Sequence, residues 1–198
     1  MSNFVTATPV RVSFPHVFEP HTIPGSTGDP KYSMTLLIPK TDTKMVQAIS
    51  AVIEQVKKDG LTSKWQGKMP AKLETTLYDG DGTTPNGEPW GNECKGHWVL
   101  RTSSKNAPDV IDEFKQKCLN PKKIYAGCWC YVGVNFYPYA STTGKKGIGA
   151  GLNTVMFAKD DEAFGGVGAS ATSDFAAIPT ANAAGNPMAV NPLALPTM

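Results

Sequence analysis

At 198 residues the chain is long enough for one good-sized core, or for one domain and a tail, and its net charge of +2 excludes strong polyanion or polycation character overall. The charge is unevenly placed, because residues 1–158 carry 18 Lys/Arg against 13 Asp/Glu while residues 159–198 carry 1 against 4. No apolar run reaches bilayer length and no charged, then apolar, leader opens the chain, so no membrane role is expected; Cys94, Cys118, Cys128 and Cys130, with His16, His21 and His97, fit neither a disulfide framework nor a zinc spacing.

In chain order, Val10, Val12 and Phe14 alternate with Arg11 and Ser13, which predicts a strand with the apolar side chains inward and Arg11 outward. Pro15–Pro20 reads as a proline-bounded corner and residues 24–30 as a turn. A second strand spans 31–38, with Tyr32, Met34, Leu36 and Ile38 on one face and Lys31, Ser33 and Thr35 on the other. Apolar spacing at Met45, Ile49, Val52, Ile53 and Val56 predicts a helix over about 42–58, capped by Thr41 or Asp42 and ended by Gly60. Trp65 then stands among Lys64, Lys68 and Lys72, the pattern either of a loop that touches phosphates and bases or of a solvated loop with one anchoring tryptophan. Asp79-Gly-Asp-Gly hints at calcium but lacks the later ligands and terminal Glu of the known loop, so neither metal nor cofactor is expected. The segment 97–102 reads as a strand with Trp98 and Leu100 inward and Arg101 outward, followed by Lys105; residues 109–126 are ambiguous, with room for a helical turn.

Residues 128–139 are the most informative stretch. At a period of two, one face is Cys128, Cys130, Val132, Val134 and Phe136, and the other is Trp129, Tyr131, Gly133, Asn135, Tyr137 and Tyr139. The second face lacks the aliphatics of an ordinary core and has the character of a platform on which unpaired bases stack; the competing reading is a strand buried on both faces with its tyrosine hydroxyls satisfied internally. A turn carrying Lys145 and Lys146 leads to a returning strand over 148–157, whose glycines at 147, 149 and 151 admit a close backbone neighbour. Beyond it Asp160, Asp161 and Glu162 precede an Ala/Asn/Pro/Thr/Ser-rich end that is expected to be disordered, and the three acids are expected to compete with nucleic acid for the basic face.

Together these elements predict a mainly β domain at 1–158, an antiparallel five-stranded barrel of the oligonucleotide-binding type with one main helix, and a tail at 159–198. Arg11, Lys31, Lys68, Arg101, Lys105, Lys145 and Lys146 would track phosphates while Trp65, Trp129, Tyr131, Tyr137 and Tyr139 stack bases.

The blocks Arg11-Val-Ser-Phe-Pro-His-Val-Phe-Glu-Pro, Lys31-Tyr-Ser-Met-Thr-Leu-Leu-Ile-Pro-Lys40, Tyr78-Asp-Gly-Asp, Ser103-Ser-Lys105 with Pro108, and Gly147-Ile-Gly-Ala-Gly-Leu-Asn153 resemble, in the same order, a family of tailed-phage single-stranded-DNA-binding proteins. The resemblance covers roughly residues 4–166 and matches at Arg11, Lys31, Lys105 and 147–153. It implies an OB-fold, sequence-tolerant binding of single-stranded DNA in phage replication or recombination within the host bacterial cytoplasm, contact with replication and recombination proteins, and no catalysis. The chain departs from the pattern at its end, which is neutral rather than an acidic tip.

Two other readings compete. An enzyme would draw on Asp79, Asp81, His97 or Cys94, but no nucleophile elbow, phosphate loop or paired-histidine motif is present. A protein-interaction or virion-structural module would use the aromatic face as a subunit contact, since Tyr and Trp also dominate protein interfaces, and a homo-oligomer is compatible with either role.

Overall fold

The computed structural model describes residues 2–22 and 28–165. Its strands are β1 (Ser2–Val5), β2 (Val10–His21), β3 (Lys31–Pro39), β4 (Leu77–Asp79), β5 (His97–Ser104), β6 (Asp109–Ile111), β7 (Trp129–Ala140) and β8 (Lys146–Lys159), with one α-helix among the described residues, α1 (Thr43–Ser63). All eight join one sheet in the order β4-β5-β3-β2-β7-β8-β6, with β1 added to β7 beyond the end of β2. The expected five-stranded barrel is therefore corrected. The sheet is not closed, β6 lies parallel to β8, and a lone bridge from Glu74 to Gly147 is what links the segment before β4 to β8.

The inner face follows from alternation. Val10 and Val12, Met34, Leu36 and Ile38, Leu100, and Cys130, Val132, Val134 and Phe136 are all buried together, and α1 lies across them through Met45, Ile49 and Val56. Asp42 caps the helix, its carboxylate accepting from the Met45 N–H at 3.1 Å. Gly60 does not end the helix as expected. It is buried on the last turns because a Cβ there would lie 2.6 Å from the Trp65 ring.

β2 departs from simple alternation. Between the pairs Ser13–Thr35 and His16–Ser33, β2 carries two residues against one on β3, a bulge. Phe14 occupies it at φ 47° and is 67 % exposed, while Ser13 is buried, so the inward placement expected for Phe14 is reversed. Residues 109–126 hold no helix; β6 and a turn that doubles back to a single bridge at Lys117 stand where a helical turn had room to form.

All four cysteines are free and buried, Cys128 and Cys130 with sulfurs 3.7 Å apart. The hydrogen bond to Cys128, together with burial, pushes the Cys130 thiol far above its ordinary range, and burial pushes Cys94 up to about 11. All four pack among buried apolar side chains. Lys40 places its ammonium between Asp79 (2.5 Å) and Asp81 (2.7 Å), where the sequence hinted at calcium. Its hydrogen bonds hold both carboxyls below the usual range.

Candidate nucleic-acid interface

The outer face of β7 is the one its alternation predicts: Trp129, Tyr131, Asn135, Tyr137 and Tyr139 are half-buried, while Cys130, Val132, Val134, Phe136 and Pro138 between them are buried. Register places Tyr137 opposite Gly149 and Tyr139 opposite Gly147 on β8. A Cβ at Gly149 would lie 2.4 Å from the Tyr137 ring, and one at Gly147 2.7 Å from the Tyr139 hydroxyl. The glycines thus make room for these two side chains, and each ring is braced against the β8 backbone instead of swinging free. The gap at Gly133 is filled from β8, where the Thr154 hydroxyl stands 2.2 Å from the position a Cβ would take.

Trp65 supports this platform from behind and does not belong to it. It is fully buried, packs on Gly60, and donates from Nε1 to the Tyr139 carbonyl at 3.1 Å. The expected base contact at Trp65 is corrected for that reason, whereas Lys68 stays exposed after Gln66 and Gly67 turn the chain outward at positive φ. A cleft of about 580 Å³ opens between the end of α1 and β7, lined by Asp59, Thr62, Ser63, Lys64, Tyr137 and Tyr139 among others.

Curling of the sheet brings further groups to this end. Burial raises the Tyr139 hydroxyl above its ordinary range, and Glu74, Tyr78 and Tyr137 add to the shift; Tyr78 is raised by burial and feels Arg101 and Glu74. Lys145 is exposed and Lys146 half-buried; both line a second cleft facing Lys72 and Glu74. Tyr78 escapes detection by sequence pattern because Leu77-Tyr78-Asp79 is too short a run to show alternation.

The other end of β7 is occupied. Arg11 sits opposite Trp129 across β2 and β7, but its Nε donates to the Gly127 carbonyl at 2.9 Å and its terminal nitrogen to the Glu162 carbonyl. The Phe164 ring lies 4.3 Å from its guanidinium carbon and also packs on the cluster of Leu37, Cys94 and Val99. Asp161 accepts from Trp129 Nε1 at 2.6 Å and lies 3.7 Å from Arg11 Nε. The Tyr125 hydroxyl donates to Asp160 at 3.0 Å, and the Lys159 ammonium stands 4.8 Å from the Trp129 ring. Residues 160–165 thus fold back across the face from which Arg11 was expected to point outward, a placement that alternation does not reach. The tail from 166 onward lies outside the described residues.

The remaining predicted cations are distributed around this face. Arg101 is exposed and in register with Thr35 and Ser13, and Lys31 is exposed at the start of β3. Lys105 is engaged by Asp29 at 2.7 Å. Tyr137, Tyr139, Lys145 and Lys146 are therefore gathered at one end, Arg11, Trp129 and the acids at the other, with Tyr131 between them.

Comparison with known proteins points in the same direction. A family model described as Enterobacter phage Enc34, ssDNA-binding protein, matches residues 3–185. Protein p50 of Acyrthosiphon pisum secondary endosymbiont phage 1 is 32 % identical over 176 residues, spanning 84 % of this chain and 89 % of that protein. The single-stranded DNA-binding protein from bacteriophage Enc34, solved in complex with ssDNA, superposes with a TM-score of 0.70 at 32 % identity, covering 82 % of this chain and 89 % of its own. Gp2.5, a single-stranded DNA-binding protein encoded by bacteriophage T7, shares the fold, with a TM-score of 0.55 at 16 % identity over 91 % of this chain and 96 % of its own.

Proposed function

Because the chain belongs to the family of the phage Enc34 ssDNA-binding protein, we propose that it is a non-enzymatic binder of single-stranded DNA that coats the strand without regard to sequence during phage replication or recombination. The observation that carries this reading is the outer face of β7, where Tyr137 and Tyr139 are braced on glycines beside Lys145 and Lys146. Rings held in this way lose little freedom when a base stacks on them, and stacking is tolerant of sequence because every base has a π-face. Arg101, Lys31 and Lys68 supply exposed cations for phosphates, and Lys105 does so on leaving Asp29. The working compartment is the host bacterial cytoplasm, and replication proteins and a second copy of the chain are the partners this role calls for. The nucleic-acid-binding body runs through β8 to Lys159, one residue past the expected boundary at 158, with residues 160–165 acting as a strap upon it.

The test is an anisotropy titration of a labelled thirty-nucleotide mixed-sequence DNA, single-stranded and duplex, at two salt concentrations. Four to six neutralised phosphates give a logarithmic salt slope of roughly −3 to −4, at about −0.7 each. Tight single-strand binding with quenched tryptophan emission is the expected result. Binding to neither form would transfer the aromatic face to a protein-interaction or virion-structural role.

The strap adds a second expectation. The Asp161 carboxylate competes with phosphates for Arg11 and the Trp129 edge, and Asp160 and Glu162 add negative charge beside it, so the triple change to Asn, Asn and Gln should tighten binding roughly 3- to 10-fold at low salt. Neutralising the acids leaves Phe164 in its apolar cluster, which truncation after Lys159 would not. An unchanged dissociation constant would remove the competition. Asp161 is held below the usual carboxylate range, by the Trp129 hydrogen bond first, so this contact is present above about pH 4 and is lost as pH falls through the lowered value.

A further inference from the structure

The segment after β5 that the sequence leaves open is a rigid hairpin. Cys118 N–H donates to the Val110 carbonyl at 2.9 Å, Asp112 N–H to the Gln116 carbonyl at 2.9 Å, and Ile111 bridges Lys117. The turn is locked from within, because the Asp112 carboxylate accepts from the N–H groups of Phe114 (2.9 Å) and Gln116 (2.8 Å) while Lys115 adopts φ 62°. What this construction presents is Phe114, 75 % exposed at the tip. Of the acids beside it, Asp112 accepts from the N–H groups of the turn and Glu113 pairs with Lys123 at 2.9 Å. Lys115 and Lys117 are exposed and have no carboxylate partner among the described residues.

The hairpin is also in line with the platform. Tyr131 pairs with Met156, Met156 with Ile111, and Ile111 with Lys117, so one row runs across three strand spacings from the rings of β7 to the base of the hairpin, about 14 Å. We propose that this hairpin is a further single-stranded DNA contact, with Phe114 stacking on a base beyond the β7 platform and Lys115 and Lys117 meeting the phosphates on either side. An exposed ring flanked by lysines that form no ion pair among the described residues suits a polyanion with aromatic bases, whereas the centre of a protein interface is depleted of lysine. The inference rests on the single-stranded DNA reading.

The same thirty-nucleotide titration tests it, with wild-type protein as reference. Phe114→Ala and Phe114→Leu should each weaken binding about 5- to 100-fold, with Phe114→Trp restoring it, because the ring and not its apolar bulk is used. The double change Lys115→Gln, Lys117→Gln should reduce the salt slope by about 1.4. The exposed positions leave folding intact, which circular dichroism verifies. Wild-type binding with all Phe114 variants within twofold, and an unaltered slope in the double variant, would overturn the hairpin contact alone and give the tip to another partner such as a protein. Failure of the wild-type protein to bind would overturn both readings.

Discussion

Trp65→Ala is expected to cost about 3–5 kcal/mol of folding stability, the range for truncating a large buried aromatic, and to change single-strand affinity little in the protein that remains folded. The ring is fully buried, fills the space that Gly60 leaves, and holds the Tyr139 carbonyl through Nε1. At roughly 2–4 °C per kcal/mol for a chain of this size, the melting temperature should fall by about 6–20 °C. Lys68→Gln, three residues on, should do the reverse, leaving melting unchanged and reducing the salt slope by about 0.7. Urea unfolding followed by far-UV circular dichroism, beside the anisotropy titration, separates the two. Normal stability with lost affinity in Trp65→Ala would return Trp65 to the DNA surface.

The second large effect concerns the platform. Tyr137→Ala should weaken binding by about 1–3 kcal/mol, or roughly 5- to 150-fold, equally for mixed, pyrimidine-rich and purine-rich strands. Trp129→Ala should weaken it in the same direction but by less. Removing that indole also removes the donor that holds Asp161 at 2.6 Å, so part of the lost stacking is offset by a looser strap. The difference should vanish when Asp160, Asp161 and Glu162 are neutralised in the same protein. Full affinity in both single variants would refute base stacking on β7.

How far these features are legible depends on whether they are local. The two faces of 128–139, the inward set of β3, the outward Arg101 and the apolar stripe of α1 are all readable, because side-chain direction in a strand or helix repeats with backbone period. Phe14 breaks the pattern because it sits in the bulge of β2, where the extra residue reverses the alternation, and the bulge is set by pairing with β3. Trp65 misleads because a tryptophan among lysines is the same string whether its ring points to solvent or to a gap made by Gly60, five residues earlier. The hairpin at Phe114 is hidden for a related reason: a turn closed by one aspartate carboxylate and a non-glycine residue at positive φ carries no periodicity.

By itself, then, the amino-acid order determined the family, the mainly β character, the single main helix and which residues of the aromatic strand turn away from the core, since each depends on short-range alternation or ordered blocks. Tertiary structure alone decided the sheet of eight strands, the burial of Trp65, the bracing of Tyr137 and Tyr139 on β8 glycines, and the folding of Asp160–Phe164 over Arg11 and Trp129. Those outcomes depend on contacts between residues as far apart as Arg11 and Glu162, whose partner choice is set by packing and hydrogen-bond satisfaction in three dimensions rather than by any neighbour in the chain.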